Sequence, residues 1–188
     1  GVVLVPRAAA LIPLKVHVDK RNYRDHLAEG RIFTHRWSAL SRVDIGDWPG
    51  DRLKRVWIAG GVNWSAIMKF DGQWDAWRAR RPEFITQAES VLDYHALPHL
   101  SKTNHTVCVI GTAGGEDSLA AIGFGARHVT GIDMDPMIAY FVTNTYSAYA
   151  GGLFTDGTNS ELVVDEGRSY IRRSGRKFDI IQQVNNFT

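Results

Sequence analysis

Cysteine is almost absent from this chain. Cys108 is the single thiol in 188 residues, so intrachain disulfides and cysteine-rich zinc sites are excluded. A lone thiol fits a reducing compartment best, and the cytoplasm is the expected location. Charge of one sign is also scarce. Lys plus Arg is 22 against 20 for Asp plus Glu, a formal net charge of +2. So small a surplus gives no electrostatic footprint for nucleic acid, and no nucleic-acid partner is expected. Long hydrophobic runs are missing as well. The best candidate, residues 1–18, is broken by Pro6, Arg7, Pro13 and Lys15, whereas a membrane span needs about 20 mostly apolar residues. No basic region precedes it, so it does not read as a signal peptide. There is no initiating Met, and the start is expected to be a cut inside a longer protein.

What is present points to a globular enzyme-sized unit. Hydrophobic residues make up 44% and charged residues 22%, values that exclude a disordered tail and a membrane bundle. The length suits one domain with a small appendage. All six tryptophans lie in the first 77 residues, among turn signals such as Gly46-Asp47-Trp48-Pro49-Gly50-Asp51 and Gly60-Gly61-Val62-Asn63. Runs of strand formers at 31–34, 41–45, 55–59 and 65–70 predict an antiparallel β appendage of three to five strands. The tryptophans read as hydrophobic filling for that sheet. Expected boundaries are 1–75 for the N-terminal segment and appendage, 76–104 for a helical linker with a helix opening at Pro82, and 105–188 for the main domain.

The character changes at Thr106. Thr106 to Ile110 is a continuous apolar run, as a strand buried on both faces requires. A glycine-rich turn follows, then a helix over 116–123, a second strand over 128–132 and a helix over 137–150. A third strand over 161–164, a short helix over 169–173 and a fourth strand over 178–183 complete the series. This β-α-β-α-β-α-β order predicts an α/β, Rossmann-like, doubly wound parallel sheet.

A glycine turn between the first strand and first helix lets backbone approach a ligand and aims helix N–H groups at it. A carboxylate about 20 residues on can accept both hydroxyls of a ribose. Asp133 stands 22 positions after Gly111, at the end of the second strand. The dinucleotide fingerprint G-x-G-x-x-G is not met, since Ala113 and Glu116 occupy its second and third glycine positions. A carboxylate beside a pyrophosphate would be repelled. Glu116 and Asp117 suit a cationic cofactor without phosphates, such as S-adenosylmethionine.

Val109 to Asp117 and Gly125 to Pro136 resemble motif I and the second-strand acid of class I S-adenosylmethionine-dependent methyltransferases. Glu166-Gly167-Arg168-Ser169-Tyr170, then Phe178-Asp179-Ile180-Ile181-Gln182, resemble the spermidine synthase-like branch of that superfamily, as do Tyr94-His95 and the β appendage. The likeness extends to large bacterial spermidine synthase-like proteins that fuse such a domain to membrane helices. It implies a transferase using S-adenosylmethionine or decarboxylated S-adenosylmethionine. Gly111, Ala113 and Gly115 would border the methionine part of the cofactor. Asp133 would bind the ribose hydroxyls, Met134 would pack on the adenine face, and Glu166 would sit near the adenine amino group with Gly167 allowing the close turn. Expected partners are a small-molecule acceptor and a second copy of the chain, with a membrane-fused parent on whose cytoplasmic side this domain lies.

Three positions depart from the polyamine-forming members. Ala96 stands where an acid follows the Tyr-His pair, Gly114 where motif I has an acid, and Val184, followed by Asn185 and Asn186, where a catalytic Asp follows the fourth strand. That Asp would deprotonate and orient the attacking amine. A methyltransferase of unknown acceptor is therefore the leading expectation. Aminopropyl transfer to a polyamine and a non-catalytic cofactor-binding or assembly module are the alternatives. No catalytic residue is assigned, and no metal site is expected, because His95 and His99 lack a third ligand. Asp135 reads as a helix cap and Cys108 as a buried small hydrophobe. A complete sheet of the family has seven strands, so the sheet is expected to be C-terminally incomplete and the isolated chain only marginally stable.

Overall fold

The structure, a computed structural model, describes residues 16–49, 53–79, 93–155 and 159–183. The expected helix opening at Pro82, the side chain of Tyr94, and Val184, Asn185 and Asn186 lie outside the described residues.

After a helix α1 (Arg21–Ala28), four strands form an antiparallel meander in the order β1-β2-β3-β4: β1 Ile32–Trp37, β2 Arg42–Asp47, β3 Leu53–Ile58 and β4 Asn63–Met68. Each overlaps one of the expected β-branched or aromatic runs, with ends shifted by one to three residues. The inward residues Val43, Ile45, Val56 and Ile67 are fully buried. The tryptophans do more than fill this sheet. Trp57 is buried, but Trp48 and Trp64 hold the Arg55 guanidinium at 4.0 and 3.6 Å from their ring centroids. That burial lowers the Arg55 pKa to about 10.

A short helix α2 (Trp74–Ala79) follows, and a single turn α3 (Asp93–Ala96) continues into a 3-10 turn at Leu97–His99. The second sheet is parallel throughout, in the order β7-β6-β5-β8: β5 Thr106–Ile110, β6 His128–Asp133, β7 Ser160–Val164 and β8 Ile180–Gln182. Helices α4 (Glu116–Gly123), α5 (Pro136–Tyr140) and α6 (Gly167–Ser174) alternate with the strands. The expected doubly wound α/β class is therefore the one found. Val43, Ile45, Val56 and Ile67 of the first sheet share one core with Val107, Val109, Leu119 and Val129 of the second.

The helix expected over 137–150 is shorter. It becomes a π turn at Phe141–Thr145, with Tyr146 N–H donating to Phe141 O at 2.8 Å, and then a series of turns. Val142, Thr143, Asn144 and Thr145 are poor helix formers, and the Thr143 hydroxyl donates back to Ala139 O at 2.8 Å. Such back-bonding bends a helix.

Candidate active site

β5, β6 and β7 run outward in one direction, and β8 returns to the other side of β5. Ligands of open α/β sheets bind at such a reversal, beyond the carboxyl ends of the strands. A cavity of about 510 Å³ opens there. Its lining includes Ile110 and Gly111 at the end of β5, Ile132 to Asp135 at the end of β6, Asp165 to Gly167 after β7, and Gln183 after β8. The meander closes one side with Leu40, Ser41, Asn63, Trp64 and Ser65. Its volume falls in the range of small-molecule sites, about 300–1,000 Å³.

The meander is fastened to this cavity by directed bonds. Asp135 caps α5 by accepting from Met137 N–H at 2.9 Å, as its position suggested. Its other oxygen accepts from the hydroxyls of Ser38 at 2.9 Å and Ser41 at 2.8 Å. Arg36 donates to the Tyr140 hydroxyl at 3.1 Å and lies over that ring.

The glycine turn is pressed against β4. A Cβ built on Gly114 would lie 2.0 Å from Ala66 O, a backbone atom that cannot yield. Position 114 therefore has no room for the acid of polyamine-forming relatives. Ala113 adopts φ +42, a strained conformation for a residue with a side chain, and its N–H donates to Asp133 Oδ2 at 3.0 Å. The other oxygen of Asp133 accepts from Asp135 N–H at 2.9 Å. Burial holds the Asp133 carboxyl above the ordinary carboxylate range despite these bonds.

Six of the seven expected cofactor-binding residues line the cavity: Gly111, Ala113, Asp133, Met134, Glu166 and Gly167. Met134 is 56% exposed, an apolar surface at the cavity wall. Gly115 stands apart from the lining. It caps α4 at φ +94, where a side chain is strained, and a Cβ there would meet Leu153 at 2.6 Å. Its place is thus dictated by packing. Glu166 borders the cavity, but both its oxygens cap α6, accepting from the N–H groups of Arg168 and Ser169 at 2.9 Å. Those bonds lower its pKa. Gly167 lets α6 approach β5, since a Cβ would lie 2.6 Å from Ile110.

Glu116 and Asp117 open α4 and turn into the same space. Two carboxylates at a helix N-terminus occupy the place where an anionic ligand would bind. Asp117 belongs to a buried chain of polar groups. Its Oδ1 lies 2.5 Å from His95 Nδ1 and accepts from Gln182 Nε2 at 2.7 Å. The same Gln182 nitrogen donates to His95 O at 3.1 Å. Facing two acceptors, it fixes the amide, so Gln182 Oε1 accepts from His99 Nε2 at 2.9 Å. His99 Nδ1 is then left to accept from His105 Nε2 at 3.0 Å. Burial and the neighbouring His105 lower the His99 pKa to about 4.

Glu116 is 8% exposed. Its Oε2 accepts from Ala66 N–H at 3.1 Å and the Ser65 hydroxyl at 3.3 Å, while Oε1 has no hydrogen-bond partner among the described residues. Burial raises its pKa. The lining carries six carboxylates (Glu116, Asp117, Asp133, Asp135, Asp165 and Glu166) and, among the described residues, no Lys or Arg. Asp165 is paired with Arg173, which lies outside the lining. No three His, Cys, Asp or Glu side chains among the described residues are grouped to hold a metal ion.

No family model matches the chain, and no curated protein sequence does. Solved structures match over most of it. Spermidine synthase from Thermotoga maritima aligns over 84% of this chain and 49% of its own, with a TM-score of 0.53 and 19% identity. Spermidine synthase in complex with the transition state analogue AdoDATO aligns over 83% and 47%, with a TM-score of 0.53 and 18% identity. The chain spans about half the length of these proteins. At that identity the likeness is one of architecture: a four-strand antiparallel sheet followed by a parallel sheet with interleaved helices is the spermidine synthase fold, and this chain has it.

Proposed function

We propose that this chain is the cofactor-binding part of an S-adenosylmethionine-type transferase, and that the decarboxylated cofactor and aminopropyl transfer suit its cavity best. The observation that carries this is the lining: six carboxylates and, among the described residues, no Lys or Arg. A sulfonium and an ammonium are attracted to such a site. The carboxylate that distinguishes the intact cofactor meets a mostly like-charged wall and the acid-filled N-terminus of α4, with His95 bonded to Asp117. Acids absent at 96, 114 and 184 are partly offset by Glu116 and Asp117, supplied from the helix rather than from the turn.

The residues present fit the cofactor part by part. The Asp133 carboxylate, oriented by backbone N–H groups of Ala113 and Asp135, keeps acceptor capacity for a ribose hydroxyl. Met134 offers an exposed thioether to the adenine face. Asp165 to Gly167 form the adenine edge. When bound, the cofactor supplies a carbon activated by its sulfonium. The chain's contribution is to hold that carbon in line with an acceptor nucleophile, so catalysis here is mostly positioning.

A second reading, methyl transfer to an unidentified small-molecule acceptor, is favoured by Gly114, where the backbone of Ala66 excludes the acid of polyamine-forming enzymes. Paired assays of the full chain distinguish the two. Transfer from the decarboxylated cofactor to 1,4-diaminobutane is the expected activity. Methylation of an amine, thiol or hydroxyl acceptor by the intact cofactor alone would establish the second reading. Cofactor binding with neither transfer would make the chain a binding module.

A further inference from the structure

The cavity is chemically two-sided. Its six carboxylates all stand on the parallel sheet and the helices that alternate with it, and His95 of α3 lies against one of them. The meander contributes Leu40, Ser41, Ile58, Asn63, Trp64 and Ser65, a wall without a charge. Trp64 is the largest side chain of that wall, and it is 48% exposed. Its ring is nonetheless fixed. The Arg55 guanidinium lies 3.6 Å from the Trp64 ring centroid and so covers one face. Arg55 also lies 4.0 Å from the centroid of Trp48, which stacks on His26 at 5.3 Å. Arg55 is 6% exposed and is not part of the lining, so the part of Trp64 that meets the cavity is the uncovered face and edge.

An aromatic face attracts a cation through its quadrupole. Trp64 already carries a cation on one face, and that guanidinium stays charged at neutral pH because its pKa, though lowered by burial, is about 10. A second ammonium on the other face would be repelled through the ring, with little screening so close to the interior. An apolar or aromatic group meets no such repulsion, and it gains burial and ring contact. We propose that Trp64 is the specificity-determining wall of the acceptor end of the cavity, and that it selects a monoamine with an apolar or aryl tail over a diamine. This rests on the transferase reading, which gives the nucleoside to the strand ends at Asp133, Met134 and Glu166 and leaves the meander side to the acceptor. The tail lies along Trp64, Leu40 and Ile58, all of them in the lining. A diamine would bring its far ammonium against the same uncharged wall. 1,4-Diaminobutane remains an acceptor, and a poorer one than an arylalkylamine.

Calorimetry on the full chain saturated with 5′-methylthioadenosine reads the acceptor end alone. The probes are butylamine, 4-phenylbutylamine and 1,4-diaminobutane, each titrated into wild type, Trp64→Gln and Arg55→Met. In wild type 4-phenylbutylamine is expected to bind about tenfold tighter than butylamine, the ratio that a ring buried against an indole supplies. Diaminobutane should bind no tighter than butylamine. In Trp64→Gln the phenyl advantage falls to about twofold or less. Arg55→Met takes the cation off the covered face, so diaminobutane should gain severalfold, a rise that a merely structural role of Arg55 would not produce. Because Trp64 is half exposed, its variant carries the test where Arg55→Met fails to fold. Absence of the phenyl advantage from wild type, or its survival in Trp64→Gln, overturns the proposal and leaves the transferase reading standing. Weaker methylthioadenosine binding by a Trp64→Gln protein that melts as wild type does would place the adenine on Trp64 and also overturn the proposal. Failure of methylthioadenosine to bind wild type overturns the transferase reading instead. In that case a phenyl advantage that depends on Trp64 in the nucleoside-free chain would still support the aryl-binding wall, and its absence would remove that too.

Discussion

Gly114 and Ala66 meet backbone to backbone, so closely that a methyl group on Gly114 would sit 2.0 Å from the Ala66 carbonyl oxygen. The glycine turn and the last strand of the meander are thereby one unit, further joined by Gly114 N–H donating to Ser65 Oγ at 3.1 Å. Gly114→Ala should destabilise the protein by about 2–4 kcal/mol, read from urea unfolding, because overpacking against backbone has no cheap relief. Gly114→Asp should be at least as damaging and should not restore polyamine-type activity. A Gly114→Ala protein as stable as wild type would show that the two elements are not in contact.

Asp135 is the second join. Replacing it with Ala removes the cap of α5 and leaves the Ser41 hydroxyl without its acceptor, while the Ser38 hydroxyl keeps Ser41 O at 3.2 Å. A loss of about 2–3 kcal/mol is expected, about 1 of which is the cap. Ser41→Ala should cost about 1 kcal/mol. Because Ser41 and Leu40 line the cavity, nucleoside affinity should fall in the Asp135 variant by more than in one altered on the exposed face of α6, such as Arg172→Ala.

The buried His99 gives a pH signature with a definite sign. Its pKa is about 4 in the folded protein and about 6.5 when exposed in the unfolded chain. The unfolded state therefore binds a proton first as pH falls. Stability is full above pH 6.5 and declines as pH drops toward 4, by roughly 3 kcal/mol across that window. His99→Gln should flatten this slope. An unchanged slope would mean that another group controls it.

Glu116 titrates in the opposite sense. Its folded pKa is raised, so the folded state holds the proton more tightly than the unfolded one. Ionisation therefore subtracts stability as pH rises above the ordinary carboxylate range. Without ligand, Glu116→Gln should melt higher than wild type at pH 8, with the difference vanishing below a pH of about 4. An equal or lower melting temperature at pH 8 would show that the carboxylate is already compensated.

Both sheets were legible in the sequence because their strands carry local signals: β-branched and aromatic runs bounded by Gly and Asp turns in the meander, and continuous apolar runs such as Thr106 to Ile110 in the parallel sheet. The cavity acid Asp133 was legible too, since it ends a strand at a fixed interval from the glycine turn. The wall supplied by Leu40, Ser41, Trp64 and Ser65 was not. These residues reach the cavity through contacts such as Ser41 to Asp135, 94 positions apart, which leave no periodic trace. Glu116 and Asp117 lay between the two cases. Two acids opening a helix after a glycine turn suggested a cationic ligand, but only the fold shows that Asp117 Oδ1 is tied to His95 and Gln182 and that Glu116 is buried against β4. The short reach of α5 was hidden because Met137 to Ala150 has no Gly or Pro to stop it, and the bend comes from the Thr143 hydroxyl.

The most direct test of the central claim is calorimetric titration of the full, folded chain with 5′-methylthioadenosine and, separately, S-adenosylhomocysteine, the nucleoside products of aminopropyl and methyl transfer. The cavity described here predicts that methylthioadenosine binds, and binds tighter than S-adenosylhomocysteine, whose carboxylate meets an acidic wall. Binding of neither nucleoside by a chain shown to be folded would contradict the account.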